Sequence, residues 1–181
     1  MRHFFDSVNT VVIIGLVGFA IWFWPSLPDQ VPTHFGMDGL PDAWGGKGFG
    51  SWFMIPGIAL VLTAGIGWFR RMVPRRPGWV NLPDKTRLTD LPELARKPVV
   101  EMLSGFLALI QSEILVIFAL IQLSTYRAAM GLESQGIMVL VLIIAILASP
   151  FLMVVFFLRL QGALDHGKKL AEAGGQPITK R

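Results

Sequence analysis

The residues best equipped for chemistry sit in one short stretch. His34, Asp38 and Asp42 lie close together, with Asp29 before them and Lys47 after. An imidazole beside carboxylates would suit zinc or manganese. The stretch holds a single histidine and no second ligand at a diagnostic spacing, so no metal and no other cofactor is assigned. Phe35 and Trp44 share it, and aromatic rings with a cation are the usual anchors of a protein contact. His34, Phe35, Asp42, Trp44 and Lys47 therefore form the expected binding set, with an extracellular peptide or a membrane protein as partner. A purely structural reading stands beside it. Thr33 would cap a turn, Asp42 would pair with Lys47, and Phe35 and Trp44 would seal the stretch onto a membrane surface. No nucleophile–base pair and no phosphate loop is visible, so no catalytic residue is assigned and the chain reads as non-enzymatic. The absence of cysteine excludes disulfides, thiolate catalysis and cysteine-ligated metal.

A second group lies within apolar sequence. Glu113 falls about 22 Å along a helix begun at Pro98, near mid-bilayer if that helix crosses. An ionised carboxylate is costly there, and such residues default to a functional hypothesis. No Lys or Arg lies inside an apolar run to neutralise it. Gln111, Ser112 and Gln122 on the same helix, or Thr63 on the preceding one, are its expected hydrogen-bond partners. Proton handling is one reading, and a bond that glues helices together is the other. Ser104, Gln111 and Gln122 share one helical face, which is expected to look towards other helices rather than lipid.

The elements that must position these groups are membrane helices. Hydrophobic residues make up 53% of the 181 and charged residues 15%, against about 25% charged in a soluble domain. No charge lies between Asp6 and Asp29, Lys47 and Arg70, or Glu133 and Arg159. Each gap holds the roughly 20 apolar residues that cross a bilayer. Four spans are expected, at about 8–24, 52–69, 99–124 and 137–158, in an all-α, polytopic membrane protein forming one integral membrane domain over 1–181. The residues after the first run, Trp22-Phe23-Trp24-Pro25, lack the small-residue pattern of a cleavage site, so that run is expected to be an anchor. Pro98 is expected in the first turn of its helix, and Pro56 and Pro150 to bend theirs. Gly15, Gly18, Gly57, Ala64, Gly65 and Gly67 would let helix backbones approach closely. Trp22, Trp24, Trp52 and Tyr126 are expected near one interface and Trp68 near the other.

Orientation follows from the cations. The connection 70–98 carries eight Lys and Arg, the residues from Arg159 onward five, and the N-terminal tail Arg2, while the other side holds only Lys47 and Arg127. The positive-inside rule puts both termini in the cytoplasm and the connection 25–51 outside the cytoplasmic membrane. The net charge of +4 is thereby explained by the lipid bilayer, and no nucleic-acid partner is inferred. Arg70-Arg71 and Arg75-Arg76 also form the kind of cluster that attracts anionic headgroups. Residues 89–95 read as a short helix leading into the third span, and 174–181 as a flexible tail. The outer connection is rich in proline and glycine and reads as stiff and turned rather than helical, with turns at Asp38-Gly39 and Gly45-Gly46.

That connection also carries a resemblance. Leu27-Pro28, Val31-Pro32-Thr33-His34-Phe35, Gly39, Pro41-Asp42, Trp44-Gly45 and Lys47, followed by Pro56, resemble a bacterial membrane domain of unknown function, number 1648, over about residues 10–60. Gly36 stands where members often carry Asn. The domain occurs at the N-terminus of proteins similar to the immunity protein against a sporulation-delaying peptide toxin. The resemblance implies a recognition or immunity-type role for the outer connection. The alternative is an accessory subunit of a larger membrane complex.

Overall fold

The computed structural model describes residues 2–82 and 88–173. Lys85, Arg87 and the tail 174–181, read above as flexible, lie outside them. The described chain is mostly helical. Helix α1 spans Arg2–Phe23, strands β1 and β2 span Gln30–Phe35 and Pro41–Gly46, and a single turn α2 spans Phe49–Trp52. Helix α3 spans Met54–Met72, α4 Glu93–Ala129, α5 Gln135–Ile143 and α6 Ser149–Ala173. A π-helical segment, Ile144–Ala148, joins α5 to α6 without a break. Three helical stretches are long and apolar enough to cross a membrane: Phe4–Ser26, Glu93–Ala129 and Gln135–Lys169. Helix α3 has 19 residues and closes on Arg70 and Arg71.

The helices outrun the expected spans because helical backbone continues where apolar sequence stops. Helix α4 starts at Glu93, where the Pro92 carbonyl accepts from the N–H groups of Ala95 and Arg96 and an acid occupies the first turn. Pro98 therefore sits inside the helix, beyond its first turn. The helix ends with Gly131 at φ +69°. Gly131 N–H reaches Ala128 O and Leu132 N–H reaches Arg127 O, a Schellman ending that glycine permits. Pro56 falls at the third residue of α3 and costs no helical hydrogen bond; the chain breaks instead at Phe53, between α2 and α3. Pro150 cannot donate to the carbonyl of Ile146, and its ring crowds that carbonyl. The wider π turn before it absorbs the misfit.

Helix α4 runs through the middle, packed against α1, α3, α5 and α6. Three apolar clusters mark its length. Ala20, Leu27, Val31 and Trp52 gather at one end, and Ile13, Leu16, Ala59 and Leu115 at the centre. Val73, Leu82, Leu88, Leu91, Ala95, Val99, Leu160 and Leu164 gather at the other end. The connection 70–98 is thus packed onto α6 rather than a plain basic loop. Arg96, counted above for topology alone, bonds the carbonyls of Leu88, Thr89 and Leu91.

The close helix crossing is also in an unexpected place. A Cβ at Gly15, Gly18, Gly57, Gly65 or Gly67 would meet nothing within 4 Å, whereas one at Gly167 would come within 2.6 Å of the Ala95 carbonyl. The expected glycines face open space, and α4 and α6 touch backbone to backbone at Gly167.

Candidate functional site

The connection between α1 and α3 folds into an antiparallel β-hairpin, a departure from the all-α chain expected. Gln30 pairs with Gly46, Val31 with Gly45 and Pro32 with Trp44, and the register is irregular around His34. Gly45-Gly46 is therefore strand and not turn. The turn comes at Gly36–Leu40, where Gly36 N–H bonds Leu40 O at 2.8 Å and Leu40 N–H bonds Asp38 Oδ1 at 3.0 Å. Gly39 supplies the positive φ of +77°.

Fixed contacts hold the hairpin at base and tip. At the base Val31 and Trp52 are almost fully buried. The Trp52 indole N–H donates to Ala20 O at 2.8 Å, and Gln122 Nε2 donates to Trp52 O at 3.3 Å. Trp52 is thus a core residue rather than an interfacial one. Phe19 and Phe23 pack on Tyr126. At the tip Gln135 Nε2 donates to Asp38 O at 2.9 Å, and Gly39 is buried against Gln135 and Met138.

Against this frame the five predicted binding residues divide. His34 Nδ1 lies 2.5 Å from Asp42 Oδ1, with the two side chains 68% and 53% exposed. Asp42 therefore pairs with His34 and not with Lys47. Trp44 is about half exposed. Phe35 is half-buried beside the turn. Lys47 turns inward: its Nζ bonds Leu27 O at 3.1 Å and Pro25 O at 3.5 Å and lies over the Trp24 ring at 5.1 Å. The cation expected to greet a partner instead ties the hairpin to the end of α1. Met37 and Leu40, in the turn, are exposed as well. Asp38 is spent on its own turn, and Thr33 lies on β1 with its side chain exposed. Among the described residues, no group of three or more His, Asp or Glu gathers as a metal would need.

The polar residues of the apolar helices also separate. Glu113 Oε1 accepts from Ser149 Oγ at 2.8 Å, so its partner comes from α6 beside the π segment and not from Gln111, Ser112, Gln122 or Thr63. Ser112 instead donates to Asn9 Oδ1 at 2.7 Å, and Asn9 Nδ2 donates to Ala108 O at 3.0 Å. This buried link between α1 and α4 was not foreseen; the one signal for it is an amide just before the first long apolar run. Gln111 and Gln122 are buried, and Gln122 Oε1 has no hydrogen-bond partner among the described residues.

No curated protein and no solved structure matches this chain. A family model does: residues 11–60, which run from α1 through the hairpin into α3, match the Domain of unknown function (DUF1648).

Proposed function

We propose that this chain is a four-crossing protein of the bacterial cytoplasmic membrane, both termini inside, whose hairpin binds a peptide or protein partner outside without catalysing a reaction. In this reading α3 is the fourth crossing, short because its arginines mark the cytoplasmic boundary. One observation carries the binding role. The hairpin is fixed at base and tip and leaves His34, Asp42, Trp44, Met37 and Leu40 exposed. A preorganised face loses little entropy when it binds, and a histidine–carboxylate pair beside an aromatic ring offers both polar and apolar contacts. Lys47 fastens the hairpin to the carbonyls of Pro25 and Leu27. An immunity-type role is the form of recognition implied by the resemblance of Leu27 to Pro56 to the domain found in proteins similar to an immunity protein.

The absence of cysteine makes the test clean. A Met37→Cys protein in intact cells should react with a membrane-impermeant maleimide, and an Arg75→Cys protein should not. His34→Ala and Trp44→Ala should leave protein level unchanged and abolish crosslinking from position 37 to its partner. Labelling of both positions, or of neither, would refute the topology. Crosslinking that survives both alanine changes would refute the binding face.

A second reading is that the chain is a subunit of a larger membrane complex. It draws on the α5–α6 stretch, little of which is covered by the rest of the chain. Co-purification of a stoichiometric second protein from native membranes in mild detergent separates the two.

A further inference from the structure

At the end of the bundle away from the hairpin, a polar cavity of about 680 Å³ opens between α1, α3 and α4. Its walls carry Asn9, Thr10, Thr63, Ser104 and Gln111, and Asp6, Arg70, Arg71 and Arg75 also line it. Thr63 and Arg70 are seven residues apart on α3, so the cavity reaches about 10 Å along that helix.

Its charges do not balance internally. Arg70 is committed: Nη1 bonds Asp6 Oδ1 at 2.6 Å and Nε donates to Ser104 Oγ at 3.3 Å. Asp6 is the one acid of the lining. The side chains of Arg71 and Arg75 are exposed and make no hydrogen bond or ion pair with a described residue. Thr63 Oγ1 is buried and without a hydrogen-bond partner among the described residues, although such groups are nearly always satisfied. Two uncommitted guanidinium groups and an unmet hydroxyl in one cavity call for a ligand rich in acceptor oxygens. Guanidinium forks match phosphate oxygens in pairs, and the volume exceeds what a single small ion fills.

We propose that this cavity binds a phosphate-bearing anion. An anionic lipid headgroup and a free phosphate share that chemistry. The site goes beyond the hairpin's role and does not depend on it.

The test uses the full chain in dodecylmaltoside, with the melting temperature read by intrinsic tryptophan fluorescence. The probes are short-chain phosphatidylglycerol, short-chain phosphatidylcholine, inorganic phosphate, and sodium chloride at matched ionic strength. Phosphatidylglycerol, phosphate or both should raise the midpoint by about 2 °C or more at saturation, with phosphatidylcholine and sodium chloride inert. A rise with phosphatidylglycerol alone assigns a lipid headgroup, and a rise with phosphate assigns the bare group. The Arg71→Gln/Arg75→Gln protein keeps the Asp6–Arg70 pair, so it should melt normally without ligand and lose the rise. The proposal is overturned if no probe stabilises the chain, if phosphatidylcholine or salt does so equally, or if the double variant keeps the rise. None of these outcomes bears on the hairpin, which maleimide labelling and crosslinking test separately.

Discussion

The indole of Trp52 donates its N–H to the carbonyl of Ala20, 32 residues earlier in the chain. Ala20 lies in the last turn of α1, where carbonyls have run out of helical partners. One side chain thus caps a helix and anchors the hairpin base. Trp52→Phe keeps most of the ring and strands the carbonyl, at an expected cost of about 1–3 kcal/mol. Thermal unfolding in detergent reads the loss. Trp44→Phe, on the half-exposed face, should leave the midpoint unchanged.

Gly167→Ala should destabilise although alanine is the better helix former. The added methyl would lie 2.6 Å from the Ala95 carbonyl, and overpacking costs about 1–3 kcal/mol. Gly162→Ala, on the same helix with nothing within 4 Å, should be neutral or slightly stabilising. Comparing the two melting temperatures isolates the crossing from helix propensity.

Ser149→Ala removes the donor to Glu113. Hydrogen bonds within membrane proteins average about 0.6 kcal/mol, and the largest approach about 1.7, so a small loss of stability is expected. Glu113→Gln keeps an acceptor for Ser149 and should melt close to the parent. If the Glu113–Ser149 contact only joins helices, Glu113→Gln should also keep the phenotype at every pH tested. A pH-dependent loss of function in that variant would assign it a proton-handling role.

Arg96→Ala deletes bonds to three carbonyls. Hydrogen bonds from a charged donor are worth about 1.5–3 kcal/mol, and Arg96 is only partly exposed. Limited chymotrypsin digestion, whose sites neither substitution removes, should cut the 70–98 connection faster in this variant than in the parent. Arg75→Ala, whose side chain bonds no described residue, should leave the connection as resistant as before.

The helices were legible because long, almost uncharged apolar runs have few alternatives. The hairpin was not. Its strands contain Pro32, Pro41, Gly45 and Gly46, residues that read as turns, and pairing across the hairpin overrides that local preference. Lys47 was misread for a different reason. Its partners are backbone carbonyls of Pro25 and Leu27, and residue identity says nothing of where a carbonyl points. The same blindness hid Arg96. Gly167 was hidden because it lies past the last expected span, where no close packing was sought. Glu113 stands out in the sequence, yet its partner Ser149 arrives from a helix whose rotation no apolar run encodes.

The pinned hairpin tip has a consequence for modularity. Residues 11–60 are a recognisable unit of sequence, but their fastenings include Gln122, Tyr126, Gln135 and Met138, all beyond that unit. Excised as a fragment, the segment would lose the counterparts that hold its β-structure still. It is inherited as a module without being an autonomous one, so grafting it onto another protein requires supplying a matching surface from the host.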